Sequence, residues 1–320
     1  MSESYLNKDF LSINQAYNSV FKVGKLSIGL VVPLESYPVG SEPNMADDIA
    51  RIQYAEQLGF SAVWLRDVPF NVPAFGDVGQ IYDPFVYLGM LAGQTKRIAL
   101  GVASIILPLR HPAHVAKAAS SIDVLSQGRL LLGVASGDRP EEYPALNMPH
   151  QDRGVRFRRS FEYIRSMAEA KPRFSNQYGE LNGDIDMLPK PNGIHLPMLL
   201  TGSSQQDPDW LAQNGDGWMT YPRNISLQAK IVDDWRDRIF SHGGSNKPAM
   251  QSLYIDLVGD PNMAPEPIHL GFRTGINYLR TYLKSLEEIG MNHVALNLRF
   301  NQANIPITLE RIAEELLPDF

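Results

Sequence analysis

The sequence predicts an α/β chain folded as a (β/α)8 barrel, with an insertion between the fourth and fifth strands. Three observations predict it. About eight apolar runs of strand length are each followed by a stretch with helical spacing. Residues 97–143 hold two such runs joined by a helical stretch, which makes a parallel crossover with small polar residues where both strands end. No Gly-x-Gly-x-x-Gly opens a helix after the first strand, so the doubly wound alternative is disfavoured.

Residues 1–24 are polar with scattered aromatics and read as an N-terminal arm or short helix packed on the outside or on a partner subunit. Residues 25–320 read as one barrel domain. The run 26–33 is a buried strand closed by Pro33, and Ile49, Ile52, Ala55 and Leu58 recur with helical spacing until Gly59 stops them. Strand two, 60–65, ends in Arg66-Asp67, and a loop long enough to be functional follows. Asp83-Pro84 caps the next helix, 85–95. Strand three (98–107), a helix (114–125) and strand four (130–135) complete the crossover. A helix around Phe157–Met167 and a turn-rich excursion with hairpin character form the insertion. Strand 197–201, helix 208–214, strand 217–221, helix 225–240, strand 250–258, helix 272–289, strand 293–298 and helix 307–317 finish the chain.

Composition narrows the partners. A net charge of -6 with scattered Lys and Arg argues against nucleic acid and anionic membrane, leaving small molecules or proteins. The absence of cysteine excludes disulfides, thiolate metal sites and a cysteine nucleophile. No secretory pattern or membrane-length run is present, so a soluble, cytoplasmic protein is expected.

In a barrel of this type the site lies at the C-terminal strand ends. Gly202-Ser203-Ser204 followed by Asp207-Pro208 offers N–H groups, hydroxyls and a helix dipole to an anion such as phosphate, and equally reads as a glycine turn with serine caps. Ser104 beside Gly101 and Ala103 reads either as a core hydroxyl bonded to a carbonyl or as a place where a flat ring approaches the backbone. Asp67 could orient a cofactor or act as a base, or simply pair with Arg66. Of Glu141 and Glu142, one is expected to be merely solvated. His111 and His114 read as caps or packing groups, and no metal site is expected. No catalytic residue can be singled out.

The stretch GVASIILPLRHPAHVAKAASSIDVLSQGRLLLGVASGD resembles the core signature of the bacterial luciferase-like monooxygenase superfamily, and LLTGSSQQDPDWLAQNGDGWMT resembles its phosphate-binding segment. IQYAEQLGFSAVWLRD is similar to the same family, and the likeness runs over most of the chain from Leu26 onward. The resemblance implies a barrel using reduced FMN supplied by a separate flavin reductase, or the deazaflavin F420 in a sister branch, and a homodimer or larger homo-oligomer. It implies a non-proline cis peptide at Ala103-Ser104. It also places Asp67, Ser104 and Tyr143 around the flavin, Ser136 and Gly137 along the pocket, and Gly202, Ser203 and Ser204 on the phosphate.

Two departures stand out. Luciferases carry a histidine where this chain has Val68 and a cysteine where it has Ala135, which tells against light emission from a long-chain aldehyde. Monooxygenation of a small organic substrate by reduced FMN and O2 is the leading expectation. F420-dependent hydride transfer is the alternative, with flavin binding without turnover as a third reading.

Overall fold

The computed structural model describes residues 9–76 and 78–320; the first eight residues of the predicted arm and Asp77 in the long loop lie outside the described residues. In chain order α1 (Gln15–Val20) precedes β1 (Ser27–Val31), α2 (Asp48–Leu58), β2 (Ala62–Leu65), α3 (Pro84–Gln94), β3 (Ala99–Ile106), α4 (Pro112–Leu125) and β4 (Leu130–Ala135). The insertion carries α5 (Glu142–Ala145), α6 (Arg153–Ser166) and an antiparallel hairpin of β5 (Arg173–Asn176) and β6 (Gly179–Asn182). Then come β7 (Met198–Thr201), α7 (Pro208–Asn214), β8 (Gly217–Thr220), α8 (Ile225–Ser241) and β9 (Ala249–Leu257). A second hairpin, β10 (Glu266–Ile268) and β11 (Gly271–Thr274), leads to α9 (Ile276–Glu288), β12 (His293–Asn297) and α10 (Ile305–Glu315).

Among the described residues, eight parallel strands close in the order β12-β1-β2-β3-β4-β7-β8-β9, with β9 pairing back to β12. This is the predicted (β/α)8 barrel. Its apolar runs are continuous because successive side chains serve two different cores. Ile28, Leu30, Val63, Leu65, Leu100, Val102, Leu132 and Val134 face the helices. Val31, Ala62, Trp64, Ala99, Leu131, Leu199, Met219, Met250 and Ala295 face inward.

The inward core explains the small residues of the strands. Trp64 is fully buried inside the barrel, and a Cβ on Gly101 would stand 2.3 Å from its indole. The flat ring that approaches β3 at Gly101 is therefore a side chain of this protein. Trp64 Nε1 donates to His293 Nε2 at 2.8 Å, which leaves the imidazole proton on Nδ1, 2.7 Å from Ser27 Oγ. Ser27 in turn donates to the Val20 carbonyl at 2.7 Å.

That bond belongs to a contact the sequence reading placed elsewhere. The arm segment from Ile13 to Phe21 is not on the outside: Ile13, Ala16, Tyr17, Val20 and Phe21 are buried against the inward-facing residues and close the barrel floor. Asn14 caps α1 by accepting from Tyr17 N at 2.9 Å, while its amide donates to Asp123 Oδ1 and to the Leu130 carbonyl, both at 2.9 Å. Tyr17 Oη reaches the Asp216 carbonyl at 2.7 Å. A short helix with few intrinsic resources is held by tertiary bonds.

Burial pulls the His293 pKa down to about 3. An unfolded histidine takes up a proton below about pH 6.5, whereas the folded one does not. His293 thus contributes stability that is complete above pH 6.5 and is lost as pH falls toward 3, at about 1.4 kcal/mol per pH unit. Urea unfolding at a series of pH values should show the stability difference between wild type and His293→Gln shrinking at that slope; a difference independent of pH would contradict it.

One boundary shifts from the sequence reading. The last long helix starts at Ile276, because residues 271–274 pair with β9 in parallel as β11. No helix among the described residues is long and apolar enough to cross a membrane.

Candidate active site

The strand C-termini surround a cavity of about 610 Å3. Its floor is the upper layer of inward-facing residues: Val31, Ala103, Ser104, Ala135, Thr201, Met219, Met250 and Ala295. On β3 the Ala103-Ser104 peptide is cis, as the resemblance implies, and the β3–β4 register shifts between Val102 and Ile105. Ser104 Oγ shares a hydrogen bond with Thr201 Oγ1, linking β3 to β7 across the floor.

Asp67 lines the cavity wall at the end of β2 and is nearly buried. Its partner is Arg110 rather than the adjacent Arg66: Arg110 Nη2 and Nε donate to its two oxygens at 2.7 and 3.0 Å, and Ile106 N donates at 3.1 Å. A bidentate pair of this kind ties the ends of β2 and β3 together. Val68 and Ala135, the two departures, both face the cavity.

Ser136 and Gly137 line the wall after β4. Tyr143 does not line it. The ring is fully buried behind that wall, edge-on to His150 with centroids 4.9 Å apart, and its hydroxyl donates to the Ser136 carbonyl. Its role is to brace the segment that does face the cavity. Glu141 is exposed, but Glu142 is buried 3.8 Å from Arg139 Nη1, and burial pushes its carboxyl up to about 7. The single turn of α5 turns Glu142 and Tyr143 inward together, a placement that two adjacent glutamates in sequence do not reveal.

Gly202, Ser203, Ser204 and Gln205 form the cavity's corner beyond β7. Gly202, Ser204 and Gln205 all have positive φ, so the chain wraps tightly there and Ser204 Oγ bonds back to the Thr201 carbonyl at 2.8 Å. The helix-dipole contribution at α7 meets a competitor. Asp207 places its own carboxylate over the first turn of α7, accepting from Trp210 N at 2.8 Å, so that terminus already holds an anion.

His150 and Arg153 complete the corner, and sequence reasoning missed both. Their buried Nε2 and Nε atoms have no hydrogen-bond partner among the described residues. Arg153 Nη1 donates to the His150 carbonyl at 3.2 Å. Neighbouring arginines of α6 face carboxylates, Arg156 on Asp152 and Arg158 on Asp207, whereas Arg153 has no such partner among the described residues. Burial, with the Arg153 charge beside it, holds His150 below its usual range and therefore neutral. Uncompensated positive charge, a neutral imidazole and serine hydroxyls in one corner suit an anionic, phosphate-bearing group. The only sequence signal was the arginine-rich start of the helix.

Comparison with known proteins agrees with this geometry. A profile described as luciferase-like monooxygenase matches residues 27–255. The alkanal monooxygenase β chain of Photorhabdus luminescens is 28% identical over 156 residues, 48% of this chain and 45% of that protein. The F420-dependent hydroxymycolic acid dehydrogenase of Mycobacterium tuberculosis is 28% identical over 189 residues, 58% of this chain and 51% of the relative. Across such curated relatives the chain spans between 45% and 63% of their own length. In fold, a monooxygenase from Streptomyces bottropensis superposes with a TM-score of 0.77 at 19% identity, covering 92% of this chain and 99% of that one. The oxygenating constituent of 3,6-diketocamphane monooxygenase from Pseudomonas putida, in complex with FMN, gives 0.74 at 14%, covering 92% and 99%. At those identities the structural likeness speaks to fold alone, but the profile match covers well over half of the sequence. The chain belongs to the luciferase-like monooxygenase family.

Proposed function

We propose that this chain is a flavin-dependent monooxygenase that takes reduced FMN from a separate reductase and uses O2 to oxidise a small organic molecule. The observation that carries the reading is the corner at His150, Arg153 and Ser203, whose orphaned donors and unpaired charge fit a phosphate at one end of the cavity. At the other end the Ala103-Ser104 backbone and the Ser136-Gly137 wall leave room for a flat ring. Reduced FMN, when bound, supplies the electrons that activate O2. Arg153, His150, Ser203 and the Gly202–Gln205 backbone would hold the phosphate. Ser104, fixed by Thr201, and the wall braced by Tyr143 would set the ring position. The Asp67–Arg110 pair keeps the β2 and β3 ends closed around it.

One observation favours a second reading, hydride transfer with F420: at equal identity, the match to the F420-dependent relative runs over a longer stretch than the match to the alkanal monooxygenase. Side-by-side titration with reduced FMN and F420 separates the two. Binding of neither removes both, and FMN binding without substrate-stimulated O2 consumption leaves a flavin carrier.

A second copy of the chain is the proposed partner at α3. This helix has no charged residue, and Val86 and Met90 stand 73% and 53% exposed on one face. Light scattering at micromolar concentration should return twice the chain mass; a monomeric mass would refute the pairing.

A further inference from the structure

The cavity has a second wall that the flavin-side residues do not use. It lies between Val31 on β1 and Tyr254 on β9, across the barrel from the phosphate corner. Met250 points into the barrel, so Ser252 and Tyr254, two and four residues on, point inward as well. Asn297 on the neighbouring β12 stands in register with Tyr254. Asn297 is 6% exposed, and its Oδ1 accepts from Arg299 N at 3.0 Å. Its Nδ2 has no hydrogen-bond partner among the described residues, and neither has Ser252 Oγ, although both residues line the cavity.

The β10–β11 hairpin roofs this wall. β11 pairs with the upper half of β9, Gly271 against Tyr254, and at the hairpin tip His269 sets its ring edge-on to Tyr254 with centroids 5.5 Å apart. Leu270 stands beside it at the cavity mouth. Among the described residues, the stretch of lining from Ser252 and Tyr254 to Asn297 and Val31 carries no carboxylate, lysine or arginine side chain.

An amide donor that faces a cavity, with its oxygen held by Arg299 N and no partner for its nitrogen among the described residues, is open to a ligand acceptor. We propose that this wall is the substrate subsite and selects an uncharged molecule bearing a carbonyl or hydroxyl oxygen, which accepts from Asn297 Nδ2 and Ser252 Oγ while its apolar body lies under Leu270 against Val31. The inference rests on the flavin reading, because that reading assigns the opposite side of the cavity to the cofactor. A charged acid fits the wall less well than an uncharged carbonyl compound or alcohol.

The test uses FMN-loaded protein and two isosteric probes, cyclohexanone and methylenecyclohexane, with dissociation constants from ligand-observed NMR. The wild-type protein should bind the ketone about tenfold more tightly than the alkene, the value of one buried hydrogen bond. Asn297→Asp keeps the acceptor for Arg299 N and removes the donor, so the preference should fall to the part that Ser252 supplies while FMN affinity holds. Ser252→Ala should reduce the preference in part. Equal binding of the two probes by wild type, binding of neither, or a preference undiminished in Asn297→Asp would overturn the subsite while leaving FMN binding intact. Failure of wild type to bind FMN would instead sink the flavin reading, and this inference with it.

Discussion

Titrated with FMN, the Arg153→Glu variant should bind at least about 100-fold more weakly than wild type, while riboflavin, which lacks the phosphate, binds both proteins alike. The expectation follows from Arg153's position. It faces the corner formed by residues 202–205, and among the described residues its buried Nε has no partner and no carboxylate forms an ion pair with it. A charge-assisted hydrogen bond to a phosphate is worth about 1.5–3 kcal/mol, and a carboxylate in its place adds repulsion. At about 1.4 kcal/mol per tenfold, the loss reaches two decades. The riboflavin arm makes the result specific. If the two ligands weakened in parallel, Arg153 would be supporting the ring or the fold, and the phosphate corner would have to be sought elsewhere.

A large effect on stability is expected at Gly133→Ala. A Cβ at Gly133 would meet the Val102 carbonyl oxygen at 2.1 Å and Met219 Sδ at 2.7 Å, with Ser104 Oγ at 3.3 Å. Methionine can swing away, but the carbonyl is part of β3 and cannot. Relief requires β3 and β4 to separate where their register already shifts, directly under the cavity floor. Overpacking against fixed backbone costs about 3 kcal/mol, at the upper end of the usual range. Thermal unfolding should therefore begin roughly 5 °C or more below wild type, and FMN binding should weaken because the floor is displaced. A melting temperature within a degree of wild type would show that the seam yields more easily than its geometry implies.

The barrel was legible in the sequence because strands covered on both faces must be apolar throughout, and because Asp83-Pro84 and Gly59 punctuate the helices between them. What was not legible depends on partners distant in the chain. Arg110 pairs with Asp67 from 43 residues away, and nothing local prefers it to Arg66. Phe272 keeps helical spacing with Ile276 and Leu279, so the strand it occupies shows only through its pairing with β9. The amphipathic arm has the same composition whether it lies outside the barrel or under it.

The candidate site divides along the same line. Strand ends can be counted off from the apolar runs, and eight of the nine predicted site residues line one cavity, with Tyr143 directly behind its wall. His150 and Arg153 come from the insertion, where the helical spacing of Phe157, Phe161 and Ile164 predicts α6 but not which barrel strand end its first turn faces. Asp207 was read as helping an anion to the α7 terminus, and the structure shows the same carboxylate occupying that terminus. A capping residue and an open anion site compete for the same N–H groups.

The helix that closes the barrel floor has a kinetic consequence. With Tyr17, Phe21, Trp64 and His293 filling the lower barrel, the described residues close the floor, and the cavity lies at the strand C-termini. On the proposed function, cofactor and substrate would share that end of the barrel, so whichever binds second would stand in the exit path of the first. Turnover would then be ordered, and raising the concentration of the outer ligand would slow escape of the inner one.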